Sequence, residues 1–315
     1  MISFSKIVKE EIVFNDFDVV ASKAILCAII KMNGSLSLGH SGLSLTLRTE
    51  NAKIAKKVHH MLKELYQPQI EFRVSRKMKL NKNNVYILMI SKGREILEDL
   101  GIMQGFGFSI YPDKKILCSD MAKRAYLAGM FLSSGSVNNP MTSNYHLEMS
   151  VVEEELADFI CELMNEHELN AKVIKRRNKY VIYMKSVERI IDFLRAIGAS
   201  TSVMEYEMER INRNMNSTIN RVNNCDVANE TKAMSACIAQ MEDIAYIMDK
   251  AGLEILDDKT RSVALIRLEN PELRLNELAE VYYEKTGKTI SKSGLHHRFK
   301  KIKEEALKLR QMEKE

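Results

Sequence analysis

Apolar residues recur at helical spacing in long uninterrupted runs, and short alternating segments stand between them. The run Leu26-Cys27-Ala28-Ile29-Ile30-Lys31-Met32-Asn33-Gly34-Ser35 lines up with Leu127-Ala128-Gly129-Met130-Phe131-Leu132-Ser133-Ser134-Gly135-Ser136: small, apolar and terminal Gly-Ser positions in the same order. The segments downstream of the two runs repeat as well. After the first run come alternating Leu43-Ser44-Leu45-Thr46-Leu47, a helical pattern over 51–66, a strand pair over 70–78 and 85–90, and a short helix ending near Leu100. After the second come Tyr145-His146-Leu147-Glu148-Met149, a helix over 150–166, strands near 171–174 and 180–184, and a helix over 186–197. Each copy predicts helix, strand, helix, hairpin, helix.

Val85, Ile87 and Met89 alternate with Tyr86, Leu88 and Ile90, and Val181 and Tyr183 with Tyr180, Ile182 and Met184. Such strands are apolar on both faces, so helices should cover them on one side. Ser150 followed by Glu153 has the spacing of a capping box. Asn33 and Ser134, just before Gly34 and Gly135, read as caps at the ends of helices. Ala28, Ala128 and Gly129 are small enough for a partner helix to approach, so the copies should pair through these first helices as a pseudo-dimer.

Residues 210–229 carry seven asparagines with Arg210, Arg213 and Arg221, and neither proline nor glycine. Asparagine is a poor helix former, and the stretch reads as a polar connector or as Arg/Asn side chains against nucleic-acid backbone. A helix over 230–250 then opens a second domain, followed by helical patterns over 259–268, 275–284 and 291–310. In the last, Ser291 is a good N-cap, with Ile290 and Leu295 placed as a hydrophobic staple. Leu295, Phe299, Ile302 and Ala306 form its buried stripe. The other side presents Ser293, His297 and Lys300, flanked by Lys292, His296, Arg298 and Lys301, and its acids wait until Glu304 and Glu305. That pattern predicts a helix-turn-helix whose last helix enters a DNA major groove, with Leu275, Leu278 and Val281 in the core of the supporting helix.

Charge supports a polyanionic partner through its distribution more than its total. The 315 residues hold 47 Lys+Arg and 42 Asp+Glu, a formal charge of only +5. Three stretches lack acids altogether: 72–94, with Arg73, Arg76, Lys77, Lys79, Lys82, Lys92 and Arg94; 169–187, with Lys172, Lys175, Arg176, Arg177, Lys179 and Lys185; and 288–303. With cations crowding both hairpin turns, two sheets side by side should make a basic saddle. Arg76, Lys77, Lys79, Lys175, Arg176, Arg177, Arg213 and Arg221 are secondary candidates for DNA contact. The five cysteines are scattered without a CxxC pair, which argues against disulfides and thiolate zinc sites. No run of about 18 apolar residues occurs, and the first residues turn charged before a secretory core forms, so a cytoplasmic protein is expected, with no membrane partner.

The paired Gly-Ser helices resemble the LAGLIDADG homing-endonuclease fold: Leu127-Ala128-Gly129 matches the first three letters of its motif and Leu26-Cys27-Ala28 matches loosely. In that family the last acid of each motif holds a divalent metal between the scissile phosphates. The matching positions here are Asn33 and Ser134, neutral groups that cannot supply the hard anionic oxygens Mg²⁺ needs. No catalytic residue, metal, cofactor or small-molecule substrate is therefore expected. The combination with a helix-turn-helix resembles the WhiA family of bacterial transcription regulators, through Ser3-Phe4 with Val8-Lys9-Glu10-Glu11, through 220–229 with Lys232, and through 275–279 and 290–298. Arg274 departs from it, where a Ser-type N-cap would stand.

The resemblance implies an α+β chain with a pseudo-symmetric LAGLIDADG-like duplicated domain over 1–200, its repeats near 20–100 and 121–200, a connector over 201–229 and an all-α helix-turn-helix domain over 230–315. It further implies a non-enzymatic, nucleoid-associated regulator that binds double-stranded DNA and is linked to sporulation or to cell division and chromosome segregation. An active homing endonuclease, or an adaptor whose N-terminal domain holds a protein partner while the C-terminal domain holds DNA, are the alternatives.

Overall fold

A computed structural model describes residues 3–39, 42–76, 84–105 and 107–313. Two compact units divide the chain, Met1–Asn214 and Met215–Glu315. The first begins with α1 (Phe4–Phe14), whose N-cap Ser3 accepts the Lys6 N–H. Copy one then runs α2 (Val19–Asn33), β1 (Gly34–Gly39), β2 (Gly42–Thr49), α3 (Ala52–Tyr66), β3 (Ile70–Arg76), β4 (Asn84–Ile90) and α4 (Gly93–Asp99). A small hairpin of β5 (Met103–Gln104) and β6 (Gly107–Phe108) leads to copy two: α5 (Asp120–Ser134), β7 (Ser136–Val137), β8 (Leu147–Val151), α6 (Glu154–Asn165), β9 (Lys172–Arg176), β10 (Lys179–Met184) and α7 (Val187–Ala196).

The two four-stranded sheets have equivalent orders, β1-β2-β4-β3 and β7-β8-β10-β9, with every pairing antiparallel. Both copies thus share one topology, as their sequences predict. The pseudo-dimer seam lies where the small residues stand. A Cβ added at Gly129 would fall 2.7 Å from Ala28 Cβ and 2.8 Å from the Ile25 carbonyl oxygen, so only glycine lets α2 and α5 approach this closely. The central stretches of both helices, 24–30 and 125–132, are buried throughout.

Two local expectations are corrected. Ser150 is no cap: it pairs with Val181 inside the β8–β10 ladder, and α6 starts after Glu153 without a side-chain cap. Asn33 and Ser134 are the last helical residues rather than the caps, which are Gly34 and Gly135 in extended conformation. Crowding selects glycine there, since a Cβ would lie 2.3 Å from the Ile30 oxygen or 2.2 Å from the Phe131 ring. The asparagine-rich stretch is helical throughout, inside α8 (Ser200–Lys250). With no proline or glycine to interrupt it, propensity costs of roughly 0.5–0.7 kcal/mol per asparagine weaken a helix without ending it.

In the second unit the last turns of α8 contribute Ile244 and Ile247 to a core completed by α9 (Asp258–Glu269), α10 (Leu275–Thr286) and α11 (Lys292–Met312). Leu278 and Tyr282 of α10 close it together with Leu295, Phe299, Ile302 and Ala306, the stripe predicted for α11. Ser291 accepts the Gly294 N–H at 3.1 Å, and Ile290 packs on the same core as Leu295. The helix start at Arg274 is secured from the other side: the Glu277 carboxylate accepts the Arg274 N–H at 2.8 Å.

Candidate nucleic-acid interface

Burial of Leu295, Phe299, Ile302 and Ala306 fixes the rotation of α11 and decides which of its polar residues face water. Lys292, Ser293, His296, His297 and Lys300 are all exposed. Ser293 lies within hydrogen-bonding reach of the cap, 3.0 Å from Ser291 Oγ. Lys300 has one distant partner, Glu304 at 4.0 Å. This exposed N-terminal half carries cations, hydroxyls and imidazoles with no acid among them, which suits phosphate oxygens and base edges.

Two residues of the predicted set behave otherwise. Arg298 is turned toward α9, where its Nη1 donates to both carboxylate oxygens of Asp257 at 3.2 and 3.4 Å and to Thr260 Oγ at 3.3 Å. Lys301 Nζ stands 3.6 Å from the same carboxylate. Asp257 is also the N-cap of α9, accepting the Thr260 N–H and hydroxyl. The Thr260 hydroxyl, then the Thr260 N–H and the two cations, hold the Asp257 carboxyl below the usual carboxylate range.

Sequence reasoning also passed over Arg267. It is completely buried, donates to the Leu273 carbonyl at 2.7 Å and lies 5.3 Å from the Phe299 ring centre, so it ties the α9–α10 turn to α11. Burial lowers its pKa. The signal was there: Arg267 follows Val263 and Ala264 at helical spacing, a cation inside an apolar stripe. Asp257 announced itself less clearly, as an acid three residues ahead of a threonine.

In the first unit Asn33 and Ser134 sit at equivalent ends of α2 and α5, and Ser134 turns its hydroxyl back to the Met130 carbonyl at 3.5 Å. Among the described residues no cluster of three or more His, Cys, Asp or Glu is gathered to hold a metal. Among the described residues, the open faces of the two sheets differ in charge. On the second, strand alternation places Lys172, Arg176 and Lys179 on the face away from the buried Met149, Ile182 and Met184. Glu148 tempers it, 3.6 Å from Arg176 and 3.0 Å from His146. On the first, the corresponding face shows Ser35, Ser37, Ser44 and Thr46, with Arg48 and an Arg73 bonded to Glu71 at 2.7 Å.

The remaining candidates fall in separate places. Arg76 shares the side of Phe72 and Val74 and is exposed. Lys77 and Lys79 lie outside the described residues. Lys175 falls on the Tyr180 side of its strand, its ammonium 5.3 Å from that ring centre, while Arg177 makes the hairpin turn with φ 57°. Arg213 is not free for a phosphate: it donates to the carbonyls of Pro140 at 2.7 Å and Thr142 at 2.6 Å, pairs with Glu209 and covers the Tyr145 ring. Arg221 is exposed on α8, bonded only loosely to the Ser217 carbonyl at 3.4 Å. No helix among the described residues is long and apolar enough to cross a membrane.

A duplicated α+β unit without its acids, followed by a helical unit with a basic exposed helix, defines a degenerate LAGLIDADG-like protein that carries a helix-turn-helix. Three family profiles match in order: the WhiA N-terminal LAGLIDADG-like domain at 20–103, the WhiA LAGLIDADG-like domain at 123–216 and the WhiA C-terminal HTH domain at 219–306. The chain belongs to the WhiA family. It is 43% identical over 312 residues to a protein of Bacillus thuringiensis named probable cell division protein WhiA, covering 98% of both chains. A protein of the same name from Listeria welshimeri is 42% identical over 310 residues, with 98% of this chain and 95% of that one covered. The crystal structure of full-length WhiA from Thermatoga maritima superposes with a TM-score of 0.59 at 26% identity, over 98% of this chain and 99% of that one.

Proposed function

We propose that this protein binds duplex DNA sequence-specifically through α11 and regulates transcription in the setting of cell division and chromosome segregation, cell division being the process named in its relatives. The observation that carries the reading is the exposed half-helix of Lys292, Ser293, His296, His297 and Lys300, which offers base-reading groups between phosphate-holding ones with no acid before Glu304. Its test is selection of duplexes from a randomised pool by the full chain, followed by titration of selected and scrambled duplexes at several salt concentrations. A selected sequence that binds tighter, with affinity falling steeply as salt rises, is the expected result.

The protein acts without cutting DNA. Asn33 and Ser134 offer no carboxylate where a metal would need one, so incubation of plasmid with Mg²⁺ or Mn²⁺ leaves it intact. Lys172, Arg176 and Lys179, on one face of the second sheet, favour a second contact with DNA backbone by the N-terminal unit. Neutralising all three then lowers affinity for every duplex alike. An alternative role for that face is to hold a protein partner, in which case DNA affinity stays unchanged. Association with the nucleoid in the cytoplasm follows from DNA binding, and fluorescence imaging of the tagged protein over stained DNA checks it.

A further inference from the structure

Asp257 touches more of the helix-turn-helix than an N-cap requires. Its carboxylate takes the Thr260 N–H at 3.1 Å and the Thr260 hydroxyl at 2.8 Å, which anchors it at the start of α9 with Thr260 buried beneath. From that fixed point it receives two cations of α11 that stand three residues apart on one side of the helix, Arg298 at 3.2 Å and Lys301 at 3.6 Å. Arg298 is the more enclosed, its side chain 22% exposed against 44% for Lys301. The opposite flank of the exposed face keeps Lys292 and Lys300, for which no carboxylate among the described residues comes nearer than the 4.0 Å of Glu304.

We infer that Asp257 is a specificity-determining positioning residue: it holds Arg298 and Lys301 against the start of α9, so that fewer cations are free for indiscriminate phosphate contact. The inference rests on the reading of α11 as the recognition helix. Its physics is a competition. Phosphate binding of every sequence grows with each free cation, whereas discrimination comes from base-edge groups held in register. A carboxylate that engages two cations on the helix flank weakens the first and preserves the second.

The test uses Asp257→Asn in the full chain, because asparagine caps a helix about as well as aspartate and keeps an oxygen for the Thr260 N–H. The probes are a duplex selected from a randomised pool by the unaltered protein and its scrambled counterpart. The expected outcome is a roughly three- to tenfold gain on the scrambled duplex at low salt, a salt slope steeper by about one to two units, and a smaller selected-to-scrambled ratio. Adding Arg298→Gln and Lys301→Gln to Asp257→Asn returns the slope to its original value. A variant slope that is unchanged or shallower, with the unaltered protein still binding DNA, overturns the role of Asp257 and leaves the recognition helix standing. Absence of salt-dependent duplex binding by the unaltered protein overturns both.

Discussion

Ser202, fully buried at the start of α8, donates its hydroxyl to the Glu11 carboxylate of α1 at 2.6 Å. Glu11 also accepts the N–H groups of Thr201 and Ser202, so a residue of α1 caps a helix whose capped N–H groups lie 190 and 191 residues later. Asn15 adds a bond to the Gly198 carbonyl at 2.8 Å, just ahead of the same helix. The placement satisfies orphan N–H donors with a full negative charge at the positive end of the helix.

Replacing Glu11 by alanine is therefore expected to destabilise the first unit by about 2–4 kcal/mol, since it strands a buried hydroxyl and two helix N–H groups. Glu11→Gln keeps an acceptor and should cost less. Chemical denaturation of both variants checks the order, and hydrogen exchange should show the first turn of α8 opening before its remainder. Equal stability of all three proteins would mean that water caps this helix as well as Glu11 does.

Lys9, two residues before that cap, is largely enclosed, with its ammonium 5.8 Å from the Phe131 ring centre. Burial lowers its pKa from the ordinary lysine value to about 8. The unfolded chain then holds a proton that the folded chain gives up between about pH 8 and 10.5, so the Lys9 contribution to stability rises with pH across that window. Below it, the folded state bears the whole desolvation cost, on the order of 2–3 kcal/mol. Lys9→Met should stabilise the protein at pH 7, with the advantage shrinking as the pH approaches about 10. Thermal unfolding of both proteins at matched pH values measures it; a constant difference across the window would place the ammonium in water.

In the second unit, Arg267→Ala removes the donor to the Leu273 carbonyl and the filler beneath Phe299. Lost hydrogen bonds and the cavity together predict a loss of about 2–4 kcal/mol. Because the α9–α10 turn places the supporting helix, sequence discrimination should weaken at temperatures where the variant is still folded. A melting curve followed at the second unit, paired with titrations well below the midpoint, separates the two effects.

What the sequence revealed and what it concealed divide by the range of the interactions. The duplication was legible because each copy repeats an apolar pattern set by local burial, from Leu26–Ser35 and Leu127–Ser136 outward. The α11 stripe and its Ser291 cap were legible for the same reason, being relations within one or two helical turns. The strand β1 was missed even though Ser35, Leu36, Ser37 and Leu38 alternate, because a helix ends and a hairpin begins within the same few residues. Ser150 misled because its capping spacing also occurs in a strand that pairs elsewhere. The engagement of Arg213 and Arg298 was illegible: their partners lie about 70 and 41 residues away, and basic residues in a row look alike whether they meet phosphate or a carbonyl.

The exposed face of α11 makes a sharper claim, that its residues divide between reading bases and holding phosphates. His297 lies on the side opposite the buried Leu295 and Phe299, exposed to solvent, so its imidazole can reach a base edge. Lys300 is one of the cations that Asp257 does not engage. His297→Ala should then reduce preference for the selected duplex by roughly 1–3 kcal/mol and leave binding to scrambled DNA nearly intact. Lys300→Ala should weaken both duplexes alike and lower the salt slope by about one unit. Lys301→Ala should do less than Lys300→Ala, because its ammonium already faces Asp257 at 3.6 Å. Titrations of the three variants on both duplexes at several salt concentrations distinguish the roles. Equal losses on both duplexes for His297→Ala would reduce α11 to a generic phosphate-binding helix, and a Lys301 effect as large as that of Lys300 would show that DNA displaces Asp257 from it.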